Sequence, residues 1–208
     1  MDTIATPGGP ARVVIASAAD PRLTLVLSHG AGGGVEARDL VVLAKGLPSR
    51  GVTVVRVEQP WRVAGRKVAG PPPTLDRAWL AVLEALDVAG PLVVGGRSAG
   101  ARVACRTAGE VGAVGCLALA FPLHPPGRPE KSRLDELVGA GVPTLVVQGE
   151  RDAFGGPNAF PRKRPAYDVV AVPGADHSFR VPKGMDQQTV LEFISSTVGD
   201  WLTRLATR

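Results

Sequence analysis

Cysteine is scarce in this chain, with only Cys105 and Cys116 among 208 residues. Two thiols cannot build the multi-bridge framework with which small secreted domains compensate for a thin core. Both therefore read as small buried hydrophobes, one in a helix and one in the strand that follows. Histidine is nearly as scarce. His29, His124 and His177 are the three present, and no HxxxH or HxH spacing relates them, so neither a metal nor a cofactor is expected. No stretch approaches the roughly eighteen consecutive apolar residues of a membrane span, and the early residues lack a charged start followed by an apolar run of signal-peptide length. The expectation is a cytoplasmic protein with no membrane partner.

Nor is charge of one sign dominant. The formal net charge is +5, and the basic clusters, Arg62 to Lys67 and Arg162-Lys163-Arg164, are brief and lack interleaved aromatics or a base-reading motif. Contact with phosphates or acidic substrates is conceivable for them, but solvated loops are the plainer reading and no nucleic-acid partner is expected.

What the chain does have is alternation. Short apolar runs follow helical patterns throughout, which signals crossover units and a mostly parallel sheet flanked by helices on both faces. A chain of this length fits one domain, 1–208, with an N-terminal extension and edge strand inside residues 1–20. The predicted strands are Ala11–Ser17, Leu23–Ser28, Val52–Val57, Pro91–Val94, Gly115–Phe121, Pro143–Gln148 and Tyr167–Val172. Helices are predicted over Glu36–Leu47, from an N-cap at Thr74, over Ala99–Ala108, around Ser132–Val138 and over Met185–Ala206. The last carries Val190, Phe193, Ile194, Trp201, Leu202 and Leu205 at helical spacing, read as core packing.

Residues 92 to 102 read Leu-Val-Val-Gly-Gly-Arg-Ser-Ala-Gly-Ala-Arg, an apolar run ending in a GxSxG turn. A serine at such a strand-to-helix elbow needs small residues two before and two after it, and Gly96 and Gly100 meet that demand. Ser98 is the candidate nucleophile. A serine hydroxyl needs an adjacent base, and His177, after the last strand run, is the candidate. Asp152, after the preceding run, is the candidate to orient it. Asp168 lies inside a strand and Asp176 directly precedes the histidine, so both are poorer placed. The order Ser, Asp, His is that of α/β-hydrolases.

His29-Gly-Ala-Gly-Gly-Gly34, after the first buried strand, is a loop of the HGGG type. It offers the backbone N–H of Ala31, and the elbow offers that of Ala99, as the two donors of an oxyanion hole. Loop position nominates His29, Trp61, Leu123, His124, Phe154 and Phe179 as pocket residues. The short stretch from Pro122 to Lys131 leaves no room for a large cap, so the site should be open and shallow.

Together, His29-Gly-Ala-Gly-Gly33, Gly96-Arg-Ser-Ala-Gly100, Phe121-Pro-Leu-His-Pro-Pro-Gly-Arg-Pro129, Gln148-Gly-Glu-Arg-Asp-Ala-Phe-Gly155 and Gly174-Ala-Asp-His-Ser-Phe179 resemble the small, capless α/β-hydrolases. The resemblance is closest to the branch of dienelactone-hydrolase-like proteins, testis-expressed hydrolase-like proteins and histone-acetyltransferase-complex subunits, and it runs from about residue 20 to 205. Dienelactone hydrolases carry cysteine where this chain has Ser98, so lactone cleavage is not implied. The subgroup often has Gly-Arg-Ser-Met-Gly-Gly, from which Ala99 and Ala101 depart without removing the backbone donor. The expected activity is cleavage of a small ester or thioester without a cofactor. The alternatives are a peptidase or amidase, and an idle interaction module, which the kinship with complex subunits permits.

Overall fold

The computed structural model describes residues 2–161 and 167–206. Its centre is one eight-stranded sheet of β1 (Asp2–Thr6), β2 (Gly9–Ala16), β3 (Leu23–Ser28), β4 (Val52–Glu58), β5 (Leu92–Arg97), β6 (Gly115–Leu119), β7 (Thr144–Gly149) and β8 (Tyr167–Val172). The spatial order is β1-β2-β4-β3-β5-β6-β7-β8, antiparallel across β1/β2 and β2/β4 and parallel elsewhere. The helices are α1 (Arg38–Gly46), α2 (Pro60–Val63), α3 (Pro72–Ala85), α4 (Ala99–Thr107), α5 (Leu134–Val138) and α6 (Gln187–Ala206).

The apolar runs are continuous because both sheet faces are covered. Every residue of β3 is buried, and its side chains alternate between two cores as the pleat requires. Val26 joins Trp79, Val103 and Phe121 on the side of α3 and α4, whereas Leu23, Leu25 and Leu27 join Leu40, Ile194 and Trp201 on the side of α1 and α6. Cys105 and Cys116 belong to the first core as free, buried thiols with Sγ atoms 3.8 Å apart.

Several boundaries differ from the sequence-based expectation. β1 joins the predicted edge strand in a hairpin, with Thr6 opposite Gly9. The segment after β4, predicted as loop, contains the single turn α2, which carries Trp61 into the core. Helix α3 starts at Pro72 rather than being capped by Thr74, because proline in the first turn has its φ preset and gives up only an N–H that would lack a helical partner. On α6, Phe193 is 40% exposed and leaves the predicted stripe, while Val190, Ile194, Trp201 and Leu202 are buried. Arg66 and Lys67 are exposed, and the other basic cluster, Arg162 to Arg164, lies outside the described residues. Among the described residues no helix is long and apolar enough to cross a membrane.

Strand order creates the place for a site. From β3 the chain crosses to β4 on one side, and from β5 it crosses to β6 on the other. The loops leaving the carboxyl ends of β3 and β5 therefore diverge and open a crevice. No cap is inserted between β6 and β7, where α5 is the only helix.

Candidate active site

At the end of β5 the chain must turn sharply into α4, and Ser98 makes the turn with φ 52° and ψ −110°. Such a conformation costs a non-glycine residue of order 1–3 kcal/mol. The surroundings hold it there: Ser98 donates its N–H to Leu119 O at 3.0 Å, and its carbonyl accepts the Arg102 N–H at 3.2 Å. The flanking glycines are sterically obligatory. A Cβ on Gly96 would lie 2.6 Å from both Gly100 C and Ser28 O, and one on Gly100 would run into the Ser28 carbonyl.

Three strand ends bring Ser98, His177 and Asp152 together in one hydrogen-bonded chain. His177 Nε2 lies 3.0 Å from Ser98 Oγ, and His177 Nδ1 lies 2.8 Å from Asp152 Oδ2. With Nδ1 carrying the proton donated to the carboxylate, Nε2 is left as an acceptor for the serine O–H. Asp152 is buried and held on both oxygens: Oδ1 accepts the Phe154 N–H at 2.8 Å, and Oδ2 also accepts from Gln148 Nε2 at 2.9 Å. The carbonyls of Phe121 and Gly155 also lie within hydrogen-bond distance of Gln148 Nε2, so its two N–H groups are shared among three acceptors. The ring of Phe154 packs on His177 with centroids 4.3 Å apart.

Ser98 and His177 open onto a cavity of about 400 Å³ lined also by Ala31, Ala99, Pro122 and Phe154. The loop after β3 closes against the elbow, since a Cβ on Gly30 would be 3.2 Å from Ser98 Cβ. Ala99 is the first residue of α4, where backbone N–H groups lack helical acceptors and the helix dipole is positive. Ala31 and Ala99 thus both border the space in front of the serine.

Of the six pocket candidates, only Phe154 lines this cavity. His29 is buried; its Nδ1–H donates to Gly30 O at 2.8 Å, and its Nε2 accepts the Gln59 N–H at 3.1 Å. Burial holds its pKa below the usual value, which suits the neutral tautomer those bonds require. It shapes the loop, with Trp61 packed on its ring. Leu123 is buried in one core and Phe179, at φ 53°, in the other. His124 turns its Nδ1 onto Pro125 O at 2.9 Å. Being near the site in sequence did not orient these side chains toward it, because the core offered apolar residues a better place.

Arg97, Asp39 and Gln148 have positions that sequence reasoning did not assign. Arg97 Nη2 donates to His177 O at 2.9 Å and Ser178 Oγ at 3.0 Å, so it fastens the turn carrying the histidine. Its Nε is 3.4 Å from the buried Asp39 carboxylate on α1. Desolvation pushes the Asp39 pKa up, against the pull of Arg97. The signal was an aspartate on the apolar side of a helix, beside Leu40. Arg102 and Arg133 also line the cavity. Among the described residues no group of His, Cys, Asp and Glu could hold a metal ion.

A central parallel sheet in this strand order, with a strained serine turning into a helix and a glycine-rich loop beside it, defines an α/β-hydrolase. The chain belongs to the alpha/beta hydrolase domain family, whose family model matches residues 21–203. Among solved structures it is similar to XC6422 of Xanthomonas campestris, described as an α/β serine hydrolase without lid, at 23% identity over 96% of this chain and 93% of that one, with a TM-score of 0.72. It is also similar to dienelactone hydrolase of Anabaena variabilis, at 15% identity over 98% and 95% of the two chains, TM-score 0.75. Proline iminopeptidase of Mycobacterium smegmatis matches at 15% identity over 99% and 98%, TM-score 0.74. Identities this low carry the fold alone, and the fold hosts both a lactone hydrolase and a peptidase.

Proposed function

We propose that this chain is a serine hydrolase that cleaves a small ester or thioester through an acyl-enzyme at Ser98. The observation that carries the reading is the continuous chain from Ser98 Oγ through His177 to Asp152 Oδ2, with both links at hydrogen-bond length. Ser98 Oγ attacks the acyl carbon while His177 Nε2 takes the hydroxyl proton. Asp152 stabilises the resulting imidazolium, and the N–H groups of Ala99 and Ala31 receive the charge on the tetrahedral oxygen. The bond from acyl carbon to the leaving oxygen or sulfur then breaks, and His177 returns the proton to the departing alcohol or thiol. Water repeats the sequence: it gives a proton to His177 and its oxygen to the acyl carbon, the Ser98–acyl bond breaks, and the proton returns to Ser98 Oγ. No step calls for a cofactor. We place the whole of 1–208 in a single domain and the protein in the cytoplasm.

The test is labelling with a fluorophosphonate followed by intact-mass measurement, beside turnover of p-nitrophenyl acetate. The expected result is one adduct per chain, abolished in Ser98→Ala and much slowed in His177→Ala, with kcat/KM in Ser98→Ala down by about 10⁴-fold or more. A folded wild type that neither labels nor turns over would replace this reading with that of an idle interaction module.

A further inference from the structure

The cavity in front of Ser98 is lined by three arginines, Arg97, Arg102 and Arg133, and among the described residues by no Asp or Glu. Two of the three have partners. Arg97 faces Asp39, and Arg102 is held bidentately by Glu136, which also receives Arg106. Arg133 differs. Its Nη1 donates to the Pro122 carbonyl at 2.9 Å and its backbone N–H donates to Leu123 O, so its position is fixed. Among the described residues, however, no carboxylate pairs with it.

A guanidinium carries five N–H donors, and most of those on Arg133 are unspent. Partial burial and the neighbouring charge of Arg102 push its pKa down, against the pull of Glu136. Arginine is also suited to the planar, two-pronged recognition of carboxylates and phosphates. The three arginines come from the end of β5, from α4 and from just before α5.

We infer that the substrate is an ester or thioester bearing an anionic group, a carboxylate or phosphate, that Arg133 binds with Arg102 beside it while Ser98 attacks the acyl carbon. This rests on the hydrolase reading above and narrows it to a substrate class.

The experiment compares kcat/KM for matched ester pairs. On the acyl side, mono-(4-nitrophenyl) glutarate is set against 4-nitrophenyl valerate; on the leaving-group side, 4-acetoxybenzoate is set against 4-acetoxybenzamide. Each is corrected for its rate with hydroxide. In at least one pair the wild type should favour the charged ester by tenfold or more. That ratio should collapse in Arg133→Gln, recover in part in Arg133→Lys, and stay unchanged in Arg77→Gln, which alters an exposed arginine of α3. The pair that shows the preference tells which end carries the anion. Wild-type ratios near one in both pairs, with Ser98 still labelled by fluorophosphonate, would overturn the anionic substrate and leave the serine hydrolase standing. A ratio that survives Arg133→Gln would also overturn it. Absence of both turnover and labelling would instead overturn the hydrolase reading, and this inference with it.

Discussion

At the scale of single residues, the site is held by a few side chains in unfavourable circumstances. Ser98 has a backbone conformation that costs a serine of order 1–3 kcal/mol and would cost glycine far less. Ser98→Gly should therefore unfold at a higher urea concentration than wild type, by about 1 kcal/mol after the extra entropy of glycine is subtracted, while losing fluorophosphonate labelling altogether. A variant less stable than wild type would mean that the turn is not strained as its φ implies. Asp39 is a second such residue. Its buried carboxylate faces Arg97, and Arg97 holds the His177 carbonyl, so an acid on α1 positions a turn that follows β8. The Gly-Arg-Ser motif displayed Arg97 openly, but nothing local identified its partner. A buried ion pair is recognisable only when both halves are known.

At the scale of elements, the elbow is a packing problem between β3, β5 and α4. Gly96 and Gly100 let α4 leave β5 directly above the Ser28 backbone, and a methyl at either site overlaps main-chain atoms that cannot rotate away. Gly100→Ala should cost about 1–3 kcal/mol or more by overpacking. It should also lower kcat, because the elbow would shift Ser98 relative to His177. Equilibrium denaturation beside p-nitrophenyl acetate turnover checks both, and unaltered stability would disprove the close approach. Elements of this kind were legible in sequence because apolar runs, glycines and helical spacing are local signals. Where local signals compete, the boundaries moved. Pro72 starts α3 before Thr74 because a first-turn proline needs no partner for its missing N–H. α2 stayed hidden in a proline-rich stretch because one turn is too short to show a period.

At the scale of the whole molecule, charge ties separate helices. Arg106 of α4 binds Asp76 of α3 and Glu136 of α5, and Arg102 binds Glu136 as well. Burial alone would raise the Glu136 pKa, but these hydrogen bonds and charges outweigh it and hold the carboxyl below its usual value. Its contribution to stability is therefore complete above the ordinary carboxylate range and is lost as pH falls through the lowered folded value. Asp39, held above its usual value by burial, has the opposite sign: its contribution is largest at low pH and declines as pH rises through the raised value. Glu136→Gln should be less stable than wild type at pH 7, and the two denaturation midpoints should converge as pH falls through the lowered folded value. A gap independent of pH would show that Glu136 acts by packing rather than by charge.

The sequence by itself determined the succession of strands and helices from β2 onward apart from the single turn α2, the fully apolar strands of a sheet covered on both faces, and the serine, aspartate and histidine placed just beyond strand ends. These follow from periodicity, turn chemistry and chain order, all of which act over a few residues. Only the tertiary structure decided which side chains share a space. Phe179, Leu123 and His29, close to the site along the chain, turned into the interior, where apolar burial or a closed set of hydrogen bonds is worth more than a place at a wet cavity. Arg97, Arg102 and Arg133, ordinary in sequence, came together around Ser98. Electrostatics and packing act across space, and no local pattern records which distant residues the strand order at β3 and β5 makes neighbours.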